Sequence, residues 1–475
     1  MKAFPTMNWR SLLTALFGVL FAFRADAAPP PNIVYIISDD QSWFHFGFLG
    51  HERVHTPNLD ALAEKSALYV NGYVPTSVCR PSLVTLLTGL YPHQHGVHFN
   101  HGPPGNSAYN RMTSREQYER VRYHEFDLIA KVDTLPAILH RQLGYRSLQT
   151  GKFWEGHWRN GGFTEGMTTF EPPPAEQTFG GVRTLASGER VAHGNGDFGL
   201  QIGRETMTPI FDFIDDCTAK QQPWLVWYAP YLPHQPHDSP EVYYQLARTR
   251  PGVAEHELPY YASIAQFDHS VGELVQHVER SDAASNTIFV FVVDNGWSPS
   301  ERREKKRPEE FAHTRNSKRA PFDDGVRTPI LIRWDGVVEP ATHIGLVSSI
   351  DLVPTLLSAA GAKAETKLPG IDLLPSARGE EPLSPERPVF GEIYPGDASA
   401  LGHPERDIAY RWVRHGELKL IVPHGDPPWG GYLQKPALFN ISADSRETTD
   451  LAAKPQHADD LDRLTALLDD WWDGR

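Results

Sequence analysis

The chain has 475 residues, 45 Lys plus Arg against 59 Asp plus Glu, a formal net charge of −14, and 40% hydrophobic residues. This composition excludes a disordered or collagen-like chain, which lacks the apolar area to offset ordering entropy. The acidic balance argues against general nucleic-acid binding, and two cysteines, Cys79 and Cys217, exclude a disulfide framework and a thiolate zinc site.

The N-terminus carries Lys2 and Arg10, an apolar run of 12 residues from Leu12 to Phe23, and small residues at Ala25-Asp26-Ala27. The run is shorter than the roughly 20 residues that span a bilayer. Residues 1–27 therefore read as a secretory signal peptide. No later segment is long and apolar enough for a span, so the expected mature protein is soluble and secreted or periplasmic.

Past Pro29-Pro30-Pro31, residues 32–38 form a continuous apolar run, as expected of a strand buried on both faces, and end in Asp39-Asp40. Thr56-Pro57 opens a helix with Leu59, Leu62 and Ala63 on one face. Pro81 and the apolar residues after it predict another, with Cys79 at its start. Residues 224–229 form a second buried strand, leading to Pro233-His234. Residues 260–280 show helical spacing at Ile264, Phe267, Val271, Leu274 and Val275. Residues 287–293 form a third strand, ending in Asp294-Asn295-Gly296. Residues 351–360 form a helix stopped by Gly361. Buried strands alternating with helices predict an α/β fold with a large, mostly parallel central sheet flanked by helices.

The pattern changes near residue 385. Residues 389–394, 411–414 and 418–422 read as shorter, more polar strands, and residues 457–472 as an amphipathic helix. The expected organisation is a catalytic α/β domain over 28–385 and a C-terminal α+β subdomain with an antiparallel sheet over 386–475. Residues 172–195 and 301–318 read as long loops, which in compact domains are often functional.

In open parallel sheets, ligands bind beyond the carboxyl ends of the strands. Two predicted strands deliver Asp39, Asp40, Asp294 and Asn295 to that edge. Carboxylates crowded there need a cation, and all-oxygen ligands suit Ca²⁺ or Mg²⁺; taken singly, each is also an ordinary loop Asp capping a helix. Cys79 at a helix N-terminus, where amides and dipole favour anions, is either a low-pKa nucleophile or a buried small residue. His51-Glu-Arg-Val-His55 matches a zinc-protease pattern by letter, but Gly47, Gly50 and Pro57 around it predict a loop rather than the required helix. His93, His95, His98 and His101 follow the Cys79 helix, and His98 is taken as a substrate-pocket candidate. Trp43, Trp154, Trp158 and Trp297 lie near these motifs, and such rings stack on sugars or aryl groups.

The segment Cys79-Arg80-Pro81-Ser82, with Thr88-Gly89, resembles the type I sulfatase family of the alkaline phosphatase superfamily. The resemblance extends over 31–40, 56–60, 88–92, Gly151-Lys152, Pro233-His234, Asp294-Asn-Gly296, Gly325-Val-Arg327, 350–357, Leu438-Phe-Asn-Ile and 447–452. It implies that Cys79 is oxidised to formylglycine by a formylglycine-generating or sulfatase-maturing enzyme, and that its hydrate is the nucleophile. It implies one Ca²⁺ on Asp39, Asp40, Asp294, Asn295 and residue 79, with Lys152, His234 and Lys318 on the sulfate or leaving group. The sequence departs from the family at Leu83, where the motif has Arg, and at Trp154, where the family has His. Arg80 and His157 are the expected stand-ins, and Trp154, His157, His98 and Arg80 the expected substrate contacts. The implied activity is hydrolysis of an organic sulfate ester, on a carbohydrate by preference. The alternatives are a phosphodiesterase or phosphonate monoester hydrolase of the same superfamily, or an inactive calcium-containing glycan-binding homologue.

Overall fold

The computed structural model describes Met1 and residues 29–177, 179–297, 316–425 and 432–475. The predicted signal segment and the charged run Glu301–Lys306 lie outside the described residues. In chain order the strands are β1 (Asn32–Ser38), β2 (Ala67–Tyr73), β3 (Arg146–Gly151), β4 (Glu165–Gly166), β5 (Val182–Thr184), β6 (Arg190–Ala192), β7 (Trp224–Ala229), β8 (Thr287–Val293), β9 (Arg327–Trp334), β10 (Ala341–His343), β11 (Val347–Ser348), β12 (Val389–Ile393), β13 (Tyr410–His415), β14 (Leu418–Pro423) and β15 (Ala437–Asn440).

The three apolar runs become β1, β7 and β8, side by side and parallel. They lie inside a nine-stranded sheet of order β10-β2-β9-β8-β1-β7-β3-β4, with β11 also on β2. β9 alone runs antiparallel to its neighbours β2 and β8. The sheet is thus mostly parallel, as expected. Successive residues of a strand face opposite sides, and both sides are buried. Ile33, Tyr35 and Ile37 of β1 face one core, shared with Ile288, Val290 and Val292 of β8. Val34 and Ile36 face the other, with Phe289, Phe291 and Val293.

Helices cover each side with their apolar stripes. The Cys79–Thr88, Leu135–Leu143 and Leu352–Ala360 helices pack on the first core through residues such as Leu86, Ile138 and Leu356. Pro57–Glu64, Thr208–Ala219 and Leu258–Glu279 pack on the second through Leu62, Ile214 and Phe267. Cys217 is buried there, a structural helix residue. The second sheet is antiparallel, β12-β13-β14-β15. One of its faces joins the first core through Val389, Trp412 and Ile421. The other packs Val413, Leu420 and Leu438 against Leu464 and Leu468 of the Ala458–Trp471 helix.

One local expectation changes and one holds. The stretch 172–195 is not wholly loop, because β5 and β6 pair within it as an antiparallel hairpin. Residues 51–55 are non-helical, as expected from the flanking glycines, so the zinc-protease letters carry no zinc-protease geometry.

Candidate active site

The sheet register builds the site. β1 and β8 pair in parallel up to Ser38 and Val293, so the residues leaving them, Asp39-Asp40 and Asp294-Asn295, emerge together at the carboxyl edge. The Asp294 amide donates to the Ser38 carbonyl at 2.9 Å, and the Asp39 amide to Leu232 at 3.0 Å. β3 and β7 are parallel to β1 and end at the same edge, delivering Lys152 and, beyond Pro233, His234. β9 is antiparallel, so its start lies at this edge, and Lys318 sits in the segment before it.

Backbone demands explain the glycines. Gly151 has φ 71° and packs against the Ala229 carbonyl so closely that a Cβ would collide with it. That approach lets the Lys152 amide donate to the same carbonyl at 2.6 Å. A Cβ on Gly296 would strike the Asp324 carbonyl. Asp40 itself has φ 57°, a left-handed conformation that Asp tolerates better than most residues.

Asp39, Asp40, Asp294 and Cys79 are buried, and each offers a ligand atom within 4.8 Å of the others. Lys152 pairs with Asp39 and lies 3.7 Å from Asp294. Lys318 Nζ lies 2.5 Å from Asp40 Oδ1 and 2.9 Å from Cys79 Sγ. His234 Nε2 is 3.6 Å from Asp40 Oδ2, its ring stacked on Tyr231 at 4.2 Å. Ser82 ties the Cys79 helix to the acidic edge by donating to the Asp294 carbonyl at 2.5 Å.

Three carboxylates face two ammoniums, so one negative charge is left over in a buried space. Asp39 Oδ2, Asp294 Oδ2 and Asn295 Oδ1 are buried and accept no hydrogen bond among the described residues. Asn295 spends its amide protons on Asp40 Oδ1 at 2.7 Å and the Gly296 carbonyl at 2.8 Å, which leaves its oxygen free. Buried acceptors of this kind are costly unless satisfied. An all-oxygen set with surplus negative charge fits a hard divalent cation. Burial pushes the Asp39 and Asp294 carboxyls above their ordinary range, against the pull of Lys152. Burial also acts on Asp40, but Lys318, His234 and Lys152 outweigh it and hold that carboxyl down. The carboxylates in turn overcome the burial of Lys152 and Lys318 and keep both ammoniums protonated.

Cys79 is 1% exposed at the first position of its helix, and burial pushes its thiol up to about 12. Of the two alternatives for Cys79, this burial favours the buried small residue over the low-pKa thiolate, since it outweighs the pull of both lysines.

Three expected substrate contacts lie elsewhere. Arg80 is fully buried and its guanidinium is consumed by Glu155 at 2.8 Å and Glu125 at 2.7 Å. It carries no spare charge to a substrate, and instead ties the start of the Cys79 helix to the loop after Lys152. His98 is buried, with Nε2 on Asp407 at 2.8 Å. His157 turns its nitrogens to Arg159, at 3.2 Å and 3.3 Å, and packs on Trp158. Leu83, at the position of the motif arginine, is 3% exposed in the first core. Trp154 is 5% exposed, its ring edge-on to His101 at 5.5 Å and His193 at 5.6 Å. Sequence reading missed His193 because it lies in the stretch taken as loop, with no motif around it. It weighed His101 among four similar histidines, and only the fold separates them.

A family model described as Sulfatase matches residues 31–362, and one described as N-sulphoglucosamine sulphohydrolase, C-terminal, matches residues 312–471. The chain is 28% identical over 501 residues to N-acetylgalactosamine-6-sulfatase of Canis lupus familiaris, covering 97% of this chain and 89% of the relative. It is 28% identical over 417 residues to arylsulfatase A of Homo sapiens, covering 82% of this chain and 75% of the relative. A solved structure in complex with its substrate, D-glucosamine-2-N,6-O-disulfate, superposes with a TM-score of 0.64 at 16% identity, covering 94% of this chain and 98% of that one.

Proposed function

The chain belongs to the sulfatase family and is a sulfuric ester hydrolase, and we propose that it removes sulfate from a carbohydrate at the Cys79 centre. Asp39, Asp40, Asp294 and Asn295 would hold one calcium ion, and residue 79 would act after conversion to formylglycine. The observation that carries this reading is the set of orphaned, buried oxygens on Asp39, Asp294 and Asn295 beside Cys79 and two lysines. The carbohydrate assignment is supported by relatives named for an amino-sugar sulfate.

A bound divalent cation supplies Lewis-acid stabilisation of the sulfate oxygens, and a formylglycine hydrate supplies an attacking oxygen that the thiol lacks. The chain's own residues do the rest. The cation would turn the surplus negative charge into a net positive one, which attracts a sulfate monoester. Lys152 and Lys318 balance the negative charge that grows as the S–O bond breaks, in a dry site where such stabilisation is strong. The Nδ1–H of His234 donates to the Gln235 carbonyl at 2.6 Å. Its Nε2 therefore carries the lone pair toward the site and moves a proton to or from the leaving oxygen. Ser82 holds the nucleophile's helix against the strand end bearing Asp294.

The proposal extends to location and organisation. Residues 1–27 support export to a secreted or periplasmic location, and no helix among the described residues is long and apolar enough to cross a membrane. A maturing enzyme would act on Cys79 before use. The catalytic unit would end near residue 385, where the antiparallel sheet takes over.

The deciding experiment is peptide mass analysis of residue 79 after co-expression with a formylglycine-generating enzyme, with sulfate release from aryl and sugar sulfates measured on the same preparation. Conversion with sulfate release supports the reading. An unmodified thiol under every maturation system would sink the formylglycine step. Faster cleavage of an aryl phosphodiester would favour the phosphodiesterase alternative, and calcium binding without turnover of either compound the inactive one.

A further inference from the structure

Three side chains from separate loop segments meet, and each has a buried polar atom with no partner among the described residues: Trp154 Nε1, His101 Nε2 and His193 Nδ1. Their rings stand almost perpendicular to one another at nearly equal separations of 5.5, 5.6 and 5.8 Å. Trp154 lies two residues from Lys152, which pairs with Asp39, so the group adjoins the site.

The outer partners fix the tautomers. Asp397 Oδ1 lies 3.3 Å from His101 Nδ1. A carboxylate only accepts, so Nδ1 carries the proton and Nε2 the lone pair. The guanidinium of Arg183 lies 3.4 Å from His193 Nε2. A guanidinium only donates, so His193 Nε2 accepts and Nδ1 carries the proton. Burial pushes both imidazoles below their ordinary range and keeps them neutral. The indole Nε1–H of Trp154 is a donor. The unsatisfied set is therefore two donors and one acceptor.

A hydroxyl offers the complement, two acceptor lone pairs and one donor. A carboxylate or second sulfate offers acceptors alone and would face the His101 lone pair. Resting on the proposed carbohydrate sulfatase reading, we infer that Trp154, His193 and His101 form a specificity pocket for one free, uncharged hydroxyl of the sugar that carries the sulfate. Asp397 and Arg183 are its positioning residues. Trp154 thus places a recognition group where the family has His.

The test uses methyl hexoside monosulfates differing in sulfate position, then the single-deoxy analogues of the best one. Wild type is expected to lose at least about tenfold in kcat/KM on one deoxy analogue, since an unmatched buried polar set penalises a substrate lacking the hydroxyl. In Trp154→Phe, which removes the N–H and keeps an aromatic ring, the ratio of parent to deoxy turnover is expected to fall toward one. His193→Phe should behave alike. A uronic acid monosulfate with its carboxylate in the hydroxyl's place should be a poorer substrate than the parent. Absence of any hydroxyl preference in wild type, or equal losses on parent and deoxy compound in both variants, would overturn the inference alone. Turnover of aryl sulfate with no hexoside sulfate cleaved would overturn the carbohydrate reading and this inference with it.

Discussion

Lys318 Nζ contacts Cys79 Sγ at 2.9 Å and Asp40 Oδ1 at 2.5 Å, so one ammonium bridges the helix-start residue and a strand-end carboxylate. Lys318 and Cys79 come from opposite ends of the main sheet's sequence. They meet because β9 runs antiparallel and begins where β1 ends.

Replacing that ammonium should cost transition-state stabilisation more than folding. Lys318→Ala is expected to lower kcat/KM on an aryl sulfate by roughly 10²–10³, the usual scale for removing one preorganised donor. Lys318→Arg should recover part of it. Steady-state kinetics on matured protein check this, and wild-type turnover in the alanine variant would remove Lys318 from the reaction.

Asp294→Ala removes one proposed calcium ligand and leaves Lys152 short of a partner. Bound calcium per chain, measured by elemental analysis, is expected to fall from one to none, with activity lost. Wild type should gain about 2.7 kcal/mol of stability when calcium is present at 100 times its dissociation constant. The variant should gain nothing, read from melts with calcium and with chelator.

The Arg80 pairs with Glu125 and Glu155 are fully buried, and removing one partner strands the others. Arg80→Ala is expected to destabilise the fold by roughly 3–5 kcal/mol. Arg80→Lys should recover only part, because an ammonium lacks the guanidinium's fork. Urea unfolding provides the number, and a loss under about 1 kcal/mol would contradict a clamping role.

Burial holds the Asp197 carboxyl up at about 7, against the Gly194 amide and Arg122, which pull it down. An unfolded aspartate titrates near about 3.9. The folded value is the higher, so this group's contribution is fully present below about pH 4 and is lost as pH rises to about 7. Each pH unit within that window costs up to about 1.4 kcal/mol. Asp197→Asn keeps an oxygen for the Gly194 amide, 2.8 Å away, and tolerates the φ of 47°. Its melting temperature is expected to fall less than that of wild type between pH 5 and 8. Parallel slopes in the two proteins would refute the assignment.

Much of the fold was legible in the chain. β1, β7 and β8 coincide with the apolar runs because a strand buried on both faces needs apolar residues at every position. Their polar ends marked the carboxyl edge, so Asp39, Asp40, Asp294 and Asn295 could be placed together without coordinates. The hairpin of β5 and β6 was not legible, being three-residue strands with polar side chains and no strong period. Arg80 and His98 were misplaced because a charged or titratable residue beside a motif reads the same in sequence whether it faces substrate or Glu155 or Asp407.

The sequence by itself determined the α/β class, the acidic strand ends and Cys79 at a helix start. These depend on local period and residue chemistry, which one chain segment carries alone. Only the tertiary structure decided which charges are spent and which are free. It buried Leu83 in the core, paired Arg80 away, and raised the Cys79 thiol. It also gathered Trp154, His101 and His193 from three distant segments. Burial and pairing depend on what other segments bring to the same point, and so do the orphaned atoms that remain.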